Sequence, residues 1–161
     1  MSFVPQRISR SATITVGAPL DEAFALFGPV REKDWADGWD PQLIDPVSEI
    51  IEERLVFTTQ SHFGQSEPDD VWIVSTYSIG DSFIEYTVFA HGRVQWIEVM
   101  CEEAGSDKAT RAEITYTFLG LTERGNSQSR EALDRIFAQD LRDWEEAINH
   151  HLATGERKHL H

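Results

Sequence analysis

The stretch NSQSREALDRIFAQDLRDWEEAINHHLA, residues 126–153, decides how this chain is read. Its apolar residues Leu133, Ile136, Phe137, Leu141, Trp144, Ile148 and Leu152 recur at steps of three and four, which places them on one stripe of an α-helix. Charges fill the other face, with Glu131–Arg135 and Arg142–Glu146 spaced as i,i+4 pairs. Ser127 or Ser129 can cap the start, Glu131 suits the positive end, and Gly155 stops the run. The spacing predicts one continuous C-terminal helix, roughly 40 Å long at 1.5 Å per residue. A helix of that length with an apolar stripe needs a broad apolar partner, and the middle of the chain supplies it.

Upstream, the period changes from 3.6 to 2. Ser11–Val16 sets Ala12, Ile14 and Val16 against Thr13 and Thr15, as a half-buried strand does. Pro19 suits the first position of a helix whose buried face is Leu20, Ala23, Phe24 and Phe27, with Asp21 and Glu22 near its start. Val30–Ala36 predicts a second short helix, closed by Asp37-Gly38 and braced by Trp35 and Trp39. Strands are predicted near Glu49–Ile51, Leu55–Gln60, Val71–Ile79, Ser82–Phe89, Arg93–Glu102 and Ala109–Leu119, with Ser61–Asp70 as a flap. This order makes an α+β fold with one antiparallel sheet of about seven strands.

Hairpin lengths then set which residues face each other. A two-residue II′ turn at Gly80-Asp81 sets Tyr77 opposite Ile84 and Ser75 opposite Tyr86. A three-residue turn at Ala90–Gly92 sets Tyr86 opposite Trp96 and Ile84 opposite Glu98. A five-residue turn at Ala104–Lys108 sets Trp96 opposite Tyr116 and Glu98 opposite Ile114. The predicted helix-facing wall therefore includes Ser75, Tyr77, Ile84, Tyr86, Trp96, Glu98, Ile114, Tyr116 and Phe118, while Cys101 points away.

Composition bounds the function. At 161 residues the chain suits a single domain, 1–161 with its core at about 8–153. No apolar run approaches the ~18 residues of a membrane span, and Met1–Arg10 lacks a signal-peptide core, so a cytoplasmic protein is expected. The net charge of −14, from 28 acids and 14 bases, argues against nucleic-acid and anionic-membrane partners. Cys101 is the lone cysteine, which excludes an intramolecular disulfide and a Cys-rich zinc site. His62 and His91 lie in loops, His150 and His151 are adjacent and point about 100° apart on a helix, and His159 and His161 end the chain. None makes a ligand set, so no metal is expected. No dinucleotide or phosphate-loop motif is present, so no cofactor is expected either. A monomer or a homodimer is expected.

The order of strand, two short helices, antiparallel strands and closing helix resembles the helix-grip order of the START/Bet v 1-like (SRPBCC) superfamily. Ala12-Thr13-Ile14-Thr15-Val16-Gly17-Ala18-Pro19-Leu20-Asp21-Glu22-Ala23-Phe24 looks like its first strand and helix. Trp35, Gly38-Trp39-Asp40-Pro41 and Trp144-Glu145-Glu146-Ala147-Ile148-Asn149-His150 resemble a bacterial subgroup of polyketide cyclase/dehydrase-like proteins. The resemblance covers nearly all of residues 8–153. It implies a curved sheet wrapped on the C-terminal helix, with a cavity between them entered near the short helices and hairpin loops. Members of the superfamily carry lipids, bind hormones, cyclise polyketides or act as co-chaperones. They share no catalytic motif, so no functional residue carries over.

On the predicted wall Glu98 is the sharpest candidate. A carboxylate among Trp96, Ile84 and Ile114 is costly to ionise, which suits a general acid or base, or an anchor for a polar ligand. A slipped register would instead leave it in solvent, or Arg111 would pair with it. Tyr77, Tyr86, Tyr116, Trp96 and Ser75 offer aromatic walls with hydroxyls, and Phe137 and Leu141 face them from the helix. Core packing is the plainer account of the same residues. The expected function is binding of a small, largely apolar or aromatic organic ligand. One alternative is a cyclase/dehydratase-type enzyme using Glu98 with a tyrosine for proton transfer. Another is a co-chaperone-like interaction module that docks a partner through the acidic surface.

Overall fold

The computed structural model describes residues 2–47, 49–61, 63 and 66–157. Seven strands, β1 (Arg7–Val16), β2 (Gln42–Asp45), β3 (Val56–Thr59), β4 (Asp70–Ser78), β5 (Phe83–Ala90), β6 (Arg93–Glu103) and β7 (Thr110–Gly120), form one antiparallel sheet in the order β1-β7-β6-β5-β4-β3-β2. Helix α1 (Leu20–Ala25) and a 3-10 turn (Arg31–Asp34) follow β1, and helices α2 (Glu123–Ile136) and α3 (Arg142–Thr154) close the chain. The expected strand at Glu49–Ile51 is absent, and Gln42–Asp45 pairs with β3 in its place. Ile51 packs on the core from a loop instead, its Cδ1 filling the room that Gly28 leaves by lacking a Cβ.

The single long helix is corrected to two. Asp140 and Leu141 take left-handed dihedrals, φ 52° and 62°, and break the run between Ile136 and Arg142. A non-glycine residue in that region costs about 1–2 kcal/mol. Leu141 offsets this by burying its side chain completely, worth about 1.5–3 kcal/mol. The apolar stripe survives the break: Leu133, Phe137, Leu141 and Ile148 are buried, and Ile136, Trp144 and Leu152 partly so. Thr122, not Ser127 or Ser129, caps α2, its hydroxyl accepting from the Gly125 amide at 2.8 Å. Gly155 ends α3 at φ 75° as expected.

The registers decide what faces the helices. Tyr77 pairs with Ile84 as predicted, but Ser82 rather than Gly80 takes the left-handed position of that turn, and a bulge at Ser75 breaks the pairing with Tyr86. Between β5 and β6 the turn is His91-Gly92 alone, with Gly92 at φ 77°, so Tyr86 pairs with Ile97 and Ile84 with Val99. The β6–β7 connection, 104–109, is one residue longer than predicted and restores the register, so Ile97 faces Tyr116. The inner faces of β5 and β7 are therefore as expected, and that of β6 is reversed. Arg93, Gln95, Ile97, Val99 and Cys101 point inward and are buried. Trp96, Glu98 and Met100 lie on the convex face.

The helices also hold the two ends of the free edge of β1. The Thr15 amide donates to the Glu145 carboxylate at 2.7 Å, and Asn149 both accepts from Gly17 N at 2.8 Å and donates to Thr15 O at 3.0 Å. Towards the start of β1, Asn126 accepts from Gln6 N and donates to Val4 O, both at 3.1 Å.

Candidate functional site

A cavity of about 340 Å³ lies between the inner face of the sheet, α2, α3 and the 3-10 turn. Two aromatic groups wall it. Trp39, Trp72 and Tyr86 pack edge to face, with ring centroids 5.2 Å apart for Trp39–Trp72 and 5.6 Å for Trp72–Tyr86. Opposite them Trp144 packs on Trp35 at 5.5 Å and on Tyr116 at 6.3 Å. The indole N–H of Trp35 donates to Leu26 O at 2.7 Å, that of Trp39 to Pro29 O at 2.6 Å, and that of Trp72 to Thr59 Oγ1 at 2.9 Å. Tyr86 donates its hydroxyl to Phe27 O at 2.7 Å. Trp35 and Trp39 thus brace the short helices, as expected, and also line the cavity.

Polar groups on the wall are few. Glu32, from the 3-10 turn, lines the cavity, and its carboxyl enters no hydrogen bond or ion pair among the described residues. Enclosure raises its pKa well above the usual carboxylate value. Its neighbours Tyr86 and Tyr116 hold their protons more tightly than a free phenol, first through burial and then through the Glu32 carboxyl. Asp143 of α3 also lines the cavity, and its buried Oδ1 has no hydrogen-bond partner. Arg135, exposed at the rim, lies 4.0 Å from Glu131 and over the Phe63 ring at 5.7 Å. Asp37 at the rim is 3.7 Å from Arg157.

Of the residues expected to bind a ligand, Tyr86 and Tyr116 line the cavity. Phe137 sits behind it, edge-on to Tyr116 at 5.7 Å, and Leu141 is buried in the core without reaching the lining. Tyr77 stacks on Phe24 at 5.9 Å, away from the lining. The other three placements are corrected. Ser75 is exposed on the convex face and donates to Glu85 Oε1 at 2.7 Å. Trp96 lies outside under Arg7, 5.1 Å from guanidinium carbon to ring centroid. Glu98 is also outside, directly across from Glu85; partial burial and then the Glu85 charge raise its pKa. Glu98 has no access to the cavity. Glu32, Gln95, Asp143 and Trp144 line it instead and were not among the residues expected to. For Glu32 the available signal was its spacing of three and four from Trp35 and Ala36 on the turn that carries it.

A second, polar cleft of about 590 Å³ borders Ser61, Glu67 and Asp69. Beneath it lies a buried ionic cluster. Arg93 donates to Gln128 Oε1 at 3.0 Å, Gln128 donates to Glu67 Oε1 at 3.2 Å, and Arg124 meets that same oxygen at 3.1 Å. Asp70, 1% exposed, has no partner on either carboxylate oxygen, and Arg93 has none on Nε or Nη2. Burial raises the Asp70 carboxyl to about 6, against the opposing pull of Arg93. Among the described residues no group of three or more His, Cys, Asp or Glu is placed to hold a metal, and no helix is long and apolar enough to cross a membrane. His62, Gly64, His159 and His161 lie outside the described residues.

No family model and no curated protein matches the sequence. Solved structures do match. Truncated norcoclaurine synthase from Thalictrum flavum superposes with a TM-score of 0.68 at 10% identity, over 96% of this chain and 98% of that one. The Zhui aromatase/cyclase from Streptomyces sp. R1128 gives 0.64 at 14% identity, over 92% and 94%. Ara h 8.0201 gives 0.61 at 11% identity, over 92% and 99%. At such identities the likeness speaks for the backbone and not for the chemistry. The chain has the helix-grip fold of the START/Bet v 1-like proteins, a curved seven-stranded antiparallel sheet closed by C-terminal helices.

Proposed function

We propose that the protein binds a small, largely apolar or aromatic organic molecule in the cavity between the sheet and the C-terminal helices. The observation that carries this reading is an aromatic-walled space of about 340 Å³ between the sheet and the C-terminal helices. That volume falls in the range of ligand pockets, about 300–1,000 Å³. Native mass spectrometry of protein purified from cells tests it, with displacement of an environment-sensitive dye as the in vitro measure. A co-purified small molecule, or saturable dye binding lost when Ala132→Trp fills the space, is the expected result. Dye binding unchanged in a folded Ala132→Trp protein would remove the cavity as the site.

A second reading, proton-transfer catalysis, is favoured by one observation: the Glu32 carboxyl and the Tyr116 hydroxyl line the same cavity. The carboxyl of this reading is Glu32, replacing Glu98, whose raised pKa suits it to pass a proton, while Tyr116, which keeps its proton, donates a hydrogen bond to the reacting group. Tyr116→Phe separates the two readings. It leaves ligand affinity within about threefold in either case, and lowers turnover at least about a hundredfold if catalysis uses the hydroxyl.

A further inference from the structure

We infer that the ligand carries a positive charge, an amine or quaternary ammonium seated against the aromatic walls between Glu32 and Asp143; the inference rests on the cavity being a binding site. Ring faces attract cations through their quadrupole, and enclosure away from water strengthens that attraction. The indole N–H groups of Trp35, Trp39 and Trp72 and the hydroxyl of Tyr86 are engaged by protein oxygens, so what these four rings offer a ligand is their π surface. The neutral donors left on the lining are the Tyr116 hydroxyl, the Trp144 indole N–H and the Gln95 amide. A cation finds aromatic rings on the lining from β4, β5, β7 and α3.

The charges on the lining point the same way. Its ionisable carboxyls are Glu32, Asp37 and Asp143, and its guanidinium is Arg135. Asp37 is answered by Arg157, and Arg135 by Glu131 and the Phe63 ring. Glu32 and Asp143 remain, neither in an ion pair among the described residues, and Oδ1 of Asp143 is buried without a partner. Among the described residues the one guanidinium on the lining, Arg135, is exposed and set against Glu131 and the Phe63 ring, so an anion entering here would meet two acids that have no ion-pair partner. A cation would meet two carboxyls that nothing else neutralises. Burial keeps the Glu32 carboxyl protonated to higher pH than usual, and a cation beside it reverses that shift, so binding releases a proton. The groups that face Glu32 are Tyr86 from β5, Tyr116 from β7 and Asp143 from α3, with Arg135 of α2 at the rim, and none of the three inner groups supplies a positive charge.

The test is a matched set of three probes: 2-phenylethyltrimethylammonium, the neutral hydrocarbon in which a tert-butyl group replaces the trimethylammonium, and 3-phenylpropionate. Each is titrated against the full chain by calorimetry and by dye displacement. The expected order is cation, neutral, anion, with the cation at least about tenfold tighter than its isostere, and its affinity rising with pH while that of the neutral probe does not. Glu32→Gln with Asp143→Asn, checked for folding by circular dichroism, reduces the preference to less than about threefold and leaves neutral-probe affinity intact. If the neutral or anionic probe binds as tightly as the cation, the charge inference is overturned and the apolar-ligand reading stands. If the folded double variant keeps the full preference, the assignment to these carboxyls is overturned. If none of the three binds, both readings fail.

Discussion

Asp70→Asn probes the buried ionic cluster beneath the polar cleft. In the folded chain this carboxyl titrates at about 6 rather than 3.8. Desolvation therefore outweighs the attraction of Arg93. Between those two values the folded state holds a proton that the unfolded state has released. Stability accordingly falls as pH rises through that window, and stays at its lower level above it. A shift of that size corresponds to about 3 kcal/mol at 1.36 kcal/mol per unit. Screening through the neighbouring cleft makes about 1–3 kcal/mol the expected effect. Asparagine keeps the shape and removes the charge. Urea denaturation should therefore find the variant level with the wild type near about pH 4, and more stable by about 1–3 kcal/mol near about pH 7.5. A variant less stable than the wild type at the higher pH, with a parallel pH profile, would show that Asp70 is ionised and that its attraction to Arg93 outweighs burial.

Other substitutions test other parts of the structure. Asn149→Ala removes both hydrogen bonds to the edge of β1, at Gly17 N and Thr15 O, and should cost about 1–2 kcal/mol in urea, with faster amide exchange at Gly17. Trp144→Ala enlarges the cavity and strips the packing on Trp35 and Tyr116; with the ring partly exposed, about 2–4 kcal/mol is expected by denaturation. Glu98→Gln should change stability by less than about half a kcal/mol and leave probe affinity unchanged, because the side chain lies on the convex face. With a net charge of −14, moderate salt should hold the thermal midpoint or raise it, and a steep fall by calorimetry would reveal dominant attractive ion pairs.

The fold was legible because its signals are redundant. Seven apolar positions at helical spacing mark the C-terminal face, and they still point inward across the break at Asp140-Leu141. A break made by two non-glycine residues leaves no glycine or proline to announce it. The site was less legible because a face is set by counting, and one residue reverses it. The β5–β6 turn is one residue shorter than its sequence predicts and the β6–β7 connection one longer, so the two differences cancel at β7. Agreement between the apolar faces of β5 and β7 therefore could not expose the reversal of β6 between them. The corrective signal was His91-Gly92, whose second residue suits a two-residue turn, together with Glu98 and Glu102 on one alternation of β6. Glu32 escaped for another reason. Arg31-Glu32-Lys33-Asp34 has the composition of a solvated turn, and only the neighbouring tryptophans turn one of its acids inward.

The hydrogen bonds from Glu145 and Asn149 to β1 bear on how copies of the chain can meet. A terminal strand of ten residues offers a template on which another chain can build, and pairing of that kind leads to fibres as readily as to dimers. Here two helix side chains occupy Thr15 and Gly17, and Asn126 holds Val4 and Gln6 beyond the other end of the strand. The opposite border of the sheet, β2, is only four residues long. A foreign strand would have to displace α3 to pair at Thr15 and α2 to pair at Gln6, so the ladder it could add is confined to the middle of β1. Self-association of the folded protein through this edge is thereby kept short.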